Sequence, residues 1–138
     1  MRTSVVNDVQ FGLSSETRNQ TVIERLVGCG LIKDSNPYSS FDFHNEDKTV
    51  FAELKTRRIR HNQYPTTLIS ADKIAHIEEG KDYYFIWSYL DGTYYLKYDP
   101  DVWATFECKM FARYDRSDRR EFPKPHIFVP CELLKPIE

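Results

Sequence analysis

Apolar residues recur at helical spacing near the start of the chain, where Val22, Ile23, Leu26 and Val27 follow the possible caps Ser14 and Ser15 and precede Gly28 and Gly30. The pattern predicts a short amphipathic helix from about Ser15 to Val27. After a loop holding Asn36-Pro37, the stretch Ser40-Phe41-Asp42-Phe43-His44 alternates polar and apolar, which predicts a strand with Phe41 and Phe43 on one face and Asp42 and His44 on the other. Asn45-Glu46-Asp47-Lys48 is polar enough to turn the chain, and Val50 to Thr56 reads as the antiparallel partner strand. Between Pro65 and Gly80 a second helix is expected, capped by Ser70 and burying Ile74 and Ile77. Two aromatic-rich strands, Tyr83 to Tyr89 and Thr93 to Tyr98, are joined by Asp91-Gly92, a hairpin signal. A further strand is predicted over Thr105 to Ala112, and the proline-bounded Ile127-Phe128-Val129 reads as an edge strand. The expected order is α-β-β-α-β-β-β-β: an α/β fold with a mixed sheet flanked by helices, the aromatic hairpin continuing the sheet.

Composition bounds this picture. At 138 residues and 16.4 kDa the chain has room for one domain, taken as 1–138, and not for two ordinary ones. The amino terminus lacks the apolar run of a signal peptide, and no stretch approaches the roughly 18 apolar residues of a spanning helix. The expectation is a soluble protein of the cytoplasm or another intracellular compartment, neither secreted nor bound to a membrane. Cys29, Cys108 and Cys131 are far apart and odd in number, which argues for buried thiols and against a zinc site or disulfide framework. The net charge of −2 would argue against a nucleic-acid partner if it were spread evenly. It is not. Lys55, Arg57, Arg58, Arg60 and His61 form a basic run without an acid, whereas the run from Arg113 to His126 is diluted by Asp115, Asp118 and Glu121 and reads as a solvated loop.

The first run adjoins the residues with chemistry. Side chains two apart on a strand share a face, so Glu53 and Lys55 project together while Ala52 and Leu54 face away. Pairing of the two strands can bring Asp42 beside Glu53. Two carboxylates and a lysine suit phosphodiester hydrolysis: hard oxygen ligands hold Mg²⁺ or Mn²⁺, and an ammonium beside the attacking water helps orient it and offsets developing charge. Without any function, the same three residues would form an exposed cross-strand ion-pair cluster worth under about 1 kcal/mol. The basic exit Thr56-Arg57-Arg58-Ile59-Arg60 favours the functional alternative, because it gives a phosphate backbone something to lie against.

Ser40-Phe41-Asp42 followed by Glu53-Leu54-Lys55 resembles the PD-(D/E)XK nuclease superfamily, which includes restriction-endonuclease-like and Holliday-junction-resolvase-like enzymes: an acid, a variable gap, then acid-any-lysine on the next strand. The naming proline is absent, Ser40-Phe41 standing before the acid. The resemblance covers about residues 15 to 90 and implies an αβββαβ core, extending to about residue 98, with added C-terminal strands and Mg²⁺-dependent cleavage. Glu46-Asp47-Lys48, Glu79-Gly80-Lys81 and Glu107-Cys108-Lys109 match acid-any-lysine too. The first falls in a turn and the second at a helix end, and the third lacks a suitable upstream acid. In many members a glutamate of the first helix completes the metal site. Glu16 and Glu24 are available for this, Glu16 within roughly 20° of the inward stripe of Ile23 and Val27 and Glu24 about 80° off it. Related nucleases often carry a Lys or Gln in the second helix that touches phosphate, a place Lys73 matches by position. Gln63, Tyr64 and Thr67 can line the strand path, and His44 shares the face of Asp42.

The expected function is therefore a metal-dependent endonuclease of DNA, with Asp42, Glu53 and Glu16 holding the metal, Lys55 assisting the attacking water, and Arg57, Arg58, Arg60 and Lys73 binding nucleic acid. A single active site cuts one strand, so a homodimer is expected for duplex cleavage, with the loop from Arg113 to His126 as the place for added DNA or dimer contacts. The rival is a non-catalytic nucleic-acid-binding module of the same fold, and a structural or protein-interaction domain is a third class.

Overall fold

The computed structural model describes residues 18–36, 38–112 and 122–137. A helix α1 occupies 18–27 and ends at Gly28, whose φ of 80° admits the left-handed turn that stops it. The strands β1 (Ile32–Lys33), β2 (Phe43–His44) and β3 (Val50–Thr56) follow. Then come β4 (Thr66–Ser70), the short helix α2 (Ala71–Ala75), β5 (Asp82–Tyr89) and β6 (Gly92–Lys97). The chain continues through α3 (Pro100–Trp103), β7 (Glu107–Phe111), β8 (Lys124–Pro130), a 3-10 turn at Cys131–Leu133 and β9 (Lys135–Pro136).

The main sheet is six-stranded and mixed, in the order β1-β2-β3-β5-β6-β9, with β3 and β5 parallel and the other neighbours antiparallel. Alternation along β5 builds a core on each side of it. Tyr84 and Ile86 face α1, meeting Ile23, Val27, Phe43 and Ala52. Tyr83, Phe85, Trp87 and Tyr89 face the other way, towards Ile69 of β4, Val129 of β8 and Ile74 and Ile77 around α2. That second layer is a separate three-stranded sheet, β4-β8-β7. The α/β class and the mixed sheet with its aromatic hairpin are as expected from the sequence.

Several details differ. Thr66–Ser70, ahead of the helix that Ser70 was expected to cap, is a strand absent from the elements expected of the sequence: Thr66, Thr67 and Ile69 are β-branched and pair with β8. Only Ala71–Ala75 is helical, and Ser70 does cap it, its side chain accepting from the N–H of Asp72. The segment Ile127–Val129 is not at an edge, because β8 lies between β4 and β7, its register placing Pro125 and Pro130 at the ends of the ladders. Phe41 and Phe43 do not share a face, since the chain bends over residues 40–42 and sends Phe41 into the core under α2 and Phe43 into the core under α1. Of the cysteines, Cys131 is buried, Cys29 half-buried and Cys108 exposed, so the expectation of three buried thiols fails at Cys108.

Candidate active site

The strand β3 runs through the middle of the main sheet and aims Glu53 and Lys55 at the face covered by α2 and the second sheet. Its pairing with β2 matches Phe43 with Ala52 and His44 with Phe51. One step further along the same register sets Asp42 across from Glu53, on the same face. The Asp42 carboxylate is tied to β3 directly, its Oδ2 accepting from the backbone N–H of Leu54 at 2.9 Å. The three residues picked from the sequence thus meet on one surface.

Lys73 joins them from α2. Its Nζ lies 3.2 Å from Glu53 Oε2, donates to the carbonyl of Ser40 and sits over the Phe41 ring at 5.6 Å. Lys55 Nζ lies 3.9 Å from the same oxygen. Lys73 therefore fastens the bend carrying Asp42 to the acid on β3. No sequence signal marks that pairing, because the placement of α2 that brings it about depends on β4, a strand absent from the elements expected of the sequence.

Glu53 is only 7% exposed, so the picture of an exposed ion-pair cluster does not hold. Its Oε1 is buried with no hydrogen-bond partner among the described residues. Burial first, and then the negative charge of Asp42, push its carboxyl up to about 7, against the pull of Lys73 and Lys55. Burial likewise lowers Lys55, with Glu53 opposing the shift and Arg57 and Lys73 adding to it. A buried acid with an oxygen lacking a partner among the described residues and a second acid opposite it make a place where a hard cation fits. Among the described residues no group of three or more His, Cys, Asp or Glu is placed to hold a metal ion. Glu16 lies outside the described residues. Glu24 is committed elsewhere, its Oε2 accepting from the N–H of Leu31 at 2.7 Å and so closing the loop after α1. His44 turns away towards Asp34, with Nε2 3.9 Å from that carboxylate.

From Lys55 a cleft of about 760 Å³ opens between the end of β3 and the second sheet. Its cationic or titratable basic walls are Lys55, Arg57, Arg58, His61 and His126, and Thr56, Tyr64, Thr66, Thr67 and Ser70 add hydroxyls. No carboxylate lines it among the described residues. Arg60 is exposed without lining the cleft, as is Gln63. The loop bearing these arginines is held to the β5–β6 hairpin, the Arg57 N–H donating to the Ser88 carbonyl at 2.8 Å and the Leu90 N–H to the Ile59 carbonyl at 3.0 Å. Most of the second basic segment, residues 113–121, lies outside the described residues.

Of the other acid-any-lysine matches, Lys48 occupies a turn with φ 56° and Gly80 one with φ 85°, so neither set lies on a strand face. Glu107 and Lys109 do share a face of β7, yet all five residues of that strand are exposed.

An acid in the bend before β2, a second acid facing it on β3, a lysine two residues on and a basic cleft beginning at that lysine match the pattern of a nuclease domain of the PD-(D/E)XK superfamily. The family described as "Phage putative PDDEXK endonuclease" matches residues 7–137, and the chain belongs to it. No curated protein and no solved structure matches the chain. Membership supports nuclease activity, with nucleic acid as the substrate class, and nucleases of this kind generally use divalent metals. Among the described residues no helix is long and apolar enough to cross a membrane.

Proposed function

We propose that the chain is a divalent-metal-dependent endonuclease of DNA in which Asp42 and Glu53 hold Mg²⁺ or Mn²⁺ and Lys55 assists the attacking water, with Glu16 as a further ligand. The observation that carries this reading is Glu53: an acid buried beside a second acid, with one oxygen that has no hydrogen-bond partner among the described residues. Keeping such a group in a sheet core is costly for stability and makes sense as a cation site. Bound there, the metal would supply a Lewis acid that offsets the charge developing on the phosphate.

The remaining steps belong to the chain itself. Asp42 is aligned by the Leu54 N–H, and Lys73 keeps its bend against Glu53. Lys55 stands between the acid pair and the cleft, where its ammonium can orient a water molecule and offset charge developing on the phosphate. Arg57 and Arg58 line the path on which a phosphate backbone would lie, with Arg60 at its margin. A two-fold homodimer would cut both strands of a duplex, and the exposed edge strand β7 is a surface available for it.

The test is a cleavage panel of duplex, four-way junction, flap, single-stranded DNA and RNA with Mg²⁺, Mn²⁺, Ca²⁺ or EDTA, alongside sedimentation of the free protein. Cleavage of DNA with Mg²⁺ or Mn²⁺ and none in EDTA is expected. Full activity in EDTA would overturn the metal site, and a preference for RNA would overturn the DNA assignment. Tight binding that survives Asp42→Asn, with no substrate cut, would make the chain a binding module. Monomers that nick one strand would remove the dimer.

A further inference from the structure

His61 was given no role by its sequence context, yet it is among the most firmly placed side chains of the cleft. Its backbone N–H donates to Asp91 Oδ1 at 2.9 Å, and its ring Nδ1 lies 2.6 Å from Asp91 Oδ2. The ring stacks on Tyr94 with centroids 4.2 Å apart and planes 18° from parallel. An ionised carboxylate can only accept, so the proton of this contact belongs on Nδ1, and the hydrogen bond is the largest cause holding the Asp91 carboxyl below its usual range. The other nitrogen, Nε2, has no partner among the described residues, and the ring lines the cleft together with Lys55, Arg57 and Arg58.

We propose that His61 is a phosphate-contacting residue of the cleft: held by Asp91 and Tyr94, its protonated ring donates Nε2–H to a backbone phosphate oxygen. The inference rests on the nucleic-acid reading of the cleft. Its chemistry follows from the fixed end of the ring. With Nδ1–H committed to Asp91, a neutral imidazole turns a lone pair to the cleft and repels phosphate, whereas the imidazolium donates from both nitrogens. The charged groups around the ring are Asp91 on its fixed side and Lys55, Arg57 and Arg58 across the cleft, with His126 as the second imidazole there. The other titratable neighbours are Tyr94, stacked on the ring, Tyr89, its ring centroid 6.5 Å away, and Tyr64 and Cys131 of the cleft wall, and Glu53 lies beyond Lys55. Binding should then carry a proton onto His61.

The experiment uses the full chain, EDTA to prevent cleavage, and a short labelled DNA duplex. On addition of duplex near pH 7, the imidazole ¹⁵N resonances of His61 should move to imidazolium positions. His61→Ala should weaken binding about fivefold near pH 6 and less than about twofold near pH 8, the scale of one partly exposed charge-assisted contact. Comparing variant with wild type at each pH cancels the titration of Glu53 and His126. Should His61→Ala misfold, Asp91→Asn keeps a hydrogen-bond acceptor for Nδ1, and the pH-dependent step should move to lower pH. A His61 that stays neutral in the complex, or a loss of affinity equal at both pH values, overturns the proposal and leaves a structural clasp. If the double variant Arg57→Ala/Arg58→Ala weakens binding while His61→Ala does not, this inference falls and the cleft reading stands. A wild-type protein that binds no duplex at low salt overturns both.

Discussion

Glu53-Leu54-Lys55 on β3 and Glu107-Cys108-Lys109 on β7 spell the same acid-any-lysine pattern on the same kind of element. Their surroundings are opposite. β3 lies between β2 and β5, its functional face roofed by α2 and the second sheet, and there Glu53 is 7% exposed with Asp42 and Lys73 against it. β7 is the edge of the smaller sheet, where the Glu107 and Lys109 side chains are 71% and 55% exposed. Both acids have a lysine at 3.2 Å: Lys73 for Glu53, Lys109 for Glu107. What separates the two places is desolvation and a second carboxylate, since in water an ion pair rests near neutrality of cost, whereas a buried acid pair stores charge that a cation can discharge.

The largest expected contrast is in activity. Lys55→Ala, Glu53→Gln and Asp42→Asn should each lower metal-supported cleavage by about two to three orders of magnitude, and Lys109→Ala should stay within about twofold of wild type. Initial rates with Mg²⁺ on the preferred substrate, with circular dichroism to confirm folding, decide this. A comparable loss in Lys109→Ala would move the active site to β7.

Next in size is a pH effect that only the buried acid can have. The folded-state carboxyl of Glu53 is raised from 4.5 to about 7, so the folded protein binds this proton more tightly than the unfolded chain does. Stability without metal should therefore fall as pH rises from about 4.5 through about 7 and level off above, by up to about 3 kcal/mol. Urea denaturation in EDTA across that range measures it. Glu53→Gln should flatten this contribution, and Glu107→Gln should leave it in place. Metal affinity should rise with pH up to about 7, because the proton must leave first. A metal affinity independent of pH there would separate Glu53 from the metal site.

Removing Lys73 tests the partner of the buried acid. Lys73→Met strips Glu53 of its nearest cation and frees the Ser40–Asp42 bend, and it should cost about 2 kcal/mol of stability near pH 8. The loss should shrink near pH 5, where a proton can neutralise Glu53 instead. Equal losses at both pH values would mean that the lysine acts by packing on Phe41 and not through charge.

The legible parts of this molecule were those set by strictly local rules. Period-two alternation located β3 at Val50–Thr56, and Gly28 stopped α1 where a left-handed residue was needed. The same-face rule put Glu53 with Lys55, and antiparallel register placed Asp42 opposite. What was not legible depends on partners distant in sequence. Thr66–Ser70 becomes a strand because β8, some sixty residues later, offers it a ladder. Lys73 reaches Glu53 only once that strand has carried the chain across the sheet. His61 and Asp91 are 30 positions apart and meet because the loop after β3 is pinned to a hairpin not yet made when β3 is read.

The smallest expected effect is at β7, and it sharpens the comparison from the other side. If desolvation and not spelling distinguishes the two strands, the Glu107–Lys109 pair should have little energy even though its 3.2 Å separation equals that of Glu53 and Lys73. Both of its side chains are more than half exposed, so water screens their attraction and ordering two long side chains offsets part of what remains. A double-mutant cycle of Glu107→Ala and Lys109→Ala, read by urea denaturation, should give a coupling below about 0.5 kcal/mol, and raising the salt should reduce it further. Lys109 also lies over the Phe128 ring at 4.7 Å, so Lys109→Ala alone can cost somewhat more than Glu107→Ala, and only the coupling isolates the ion pair. The matching cycle of Glu53→Gln with Lys73→Met should exceed it severalfold near pH 8. A coupling at β7 as large as that one would mean that exposure does not set the difference, and the case for Glu53 as a cation site would lose its physical basis.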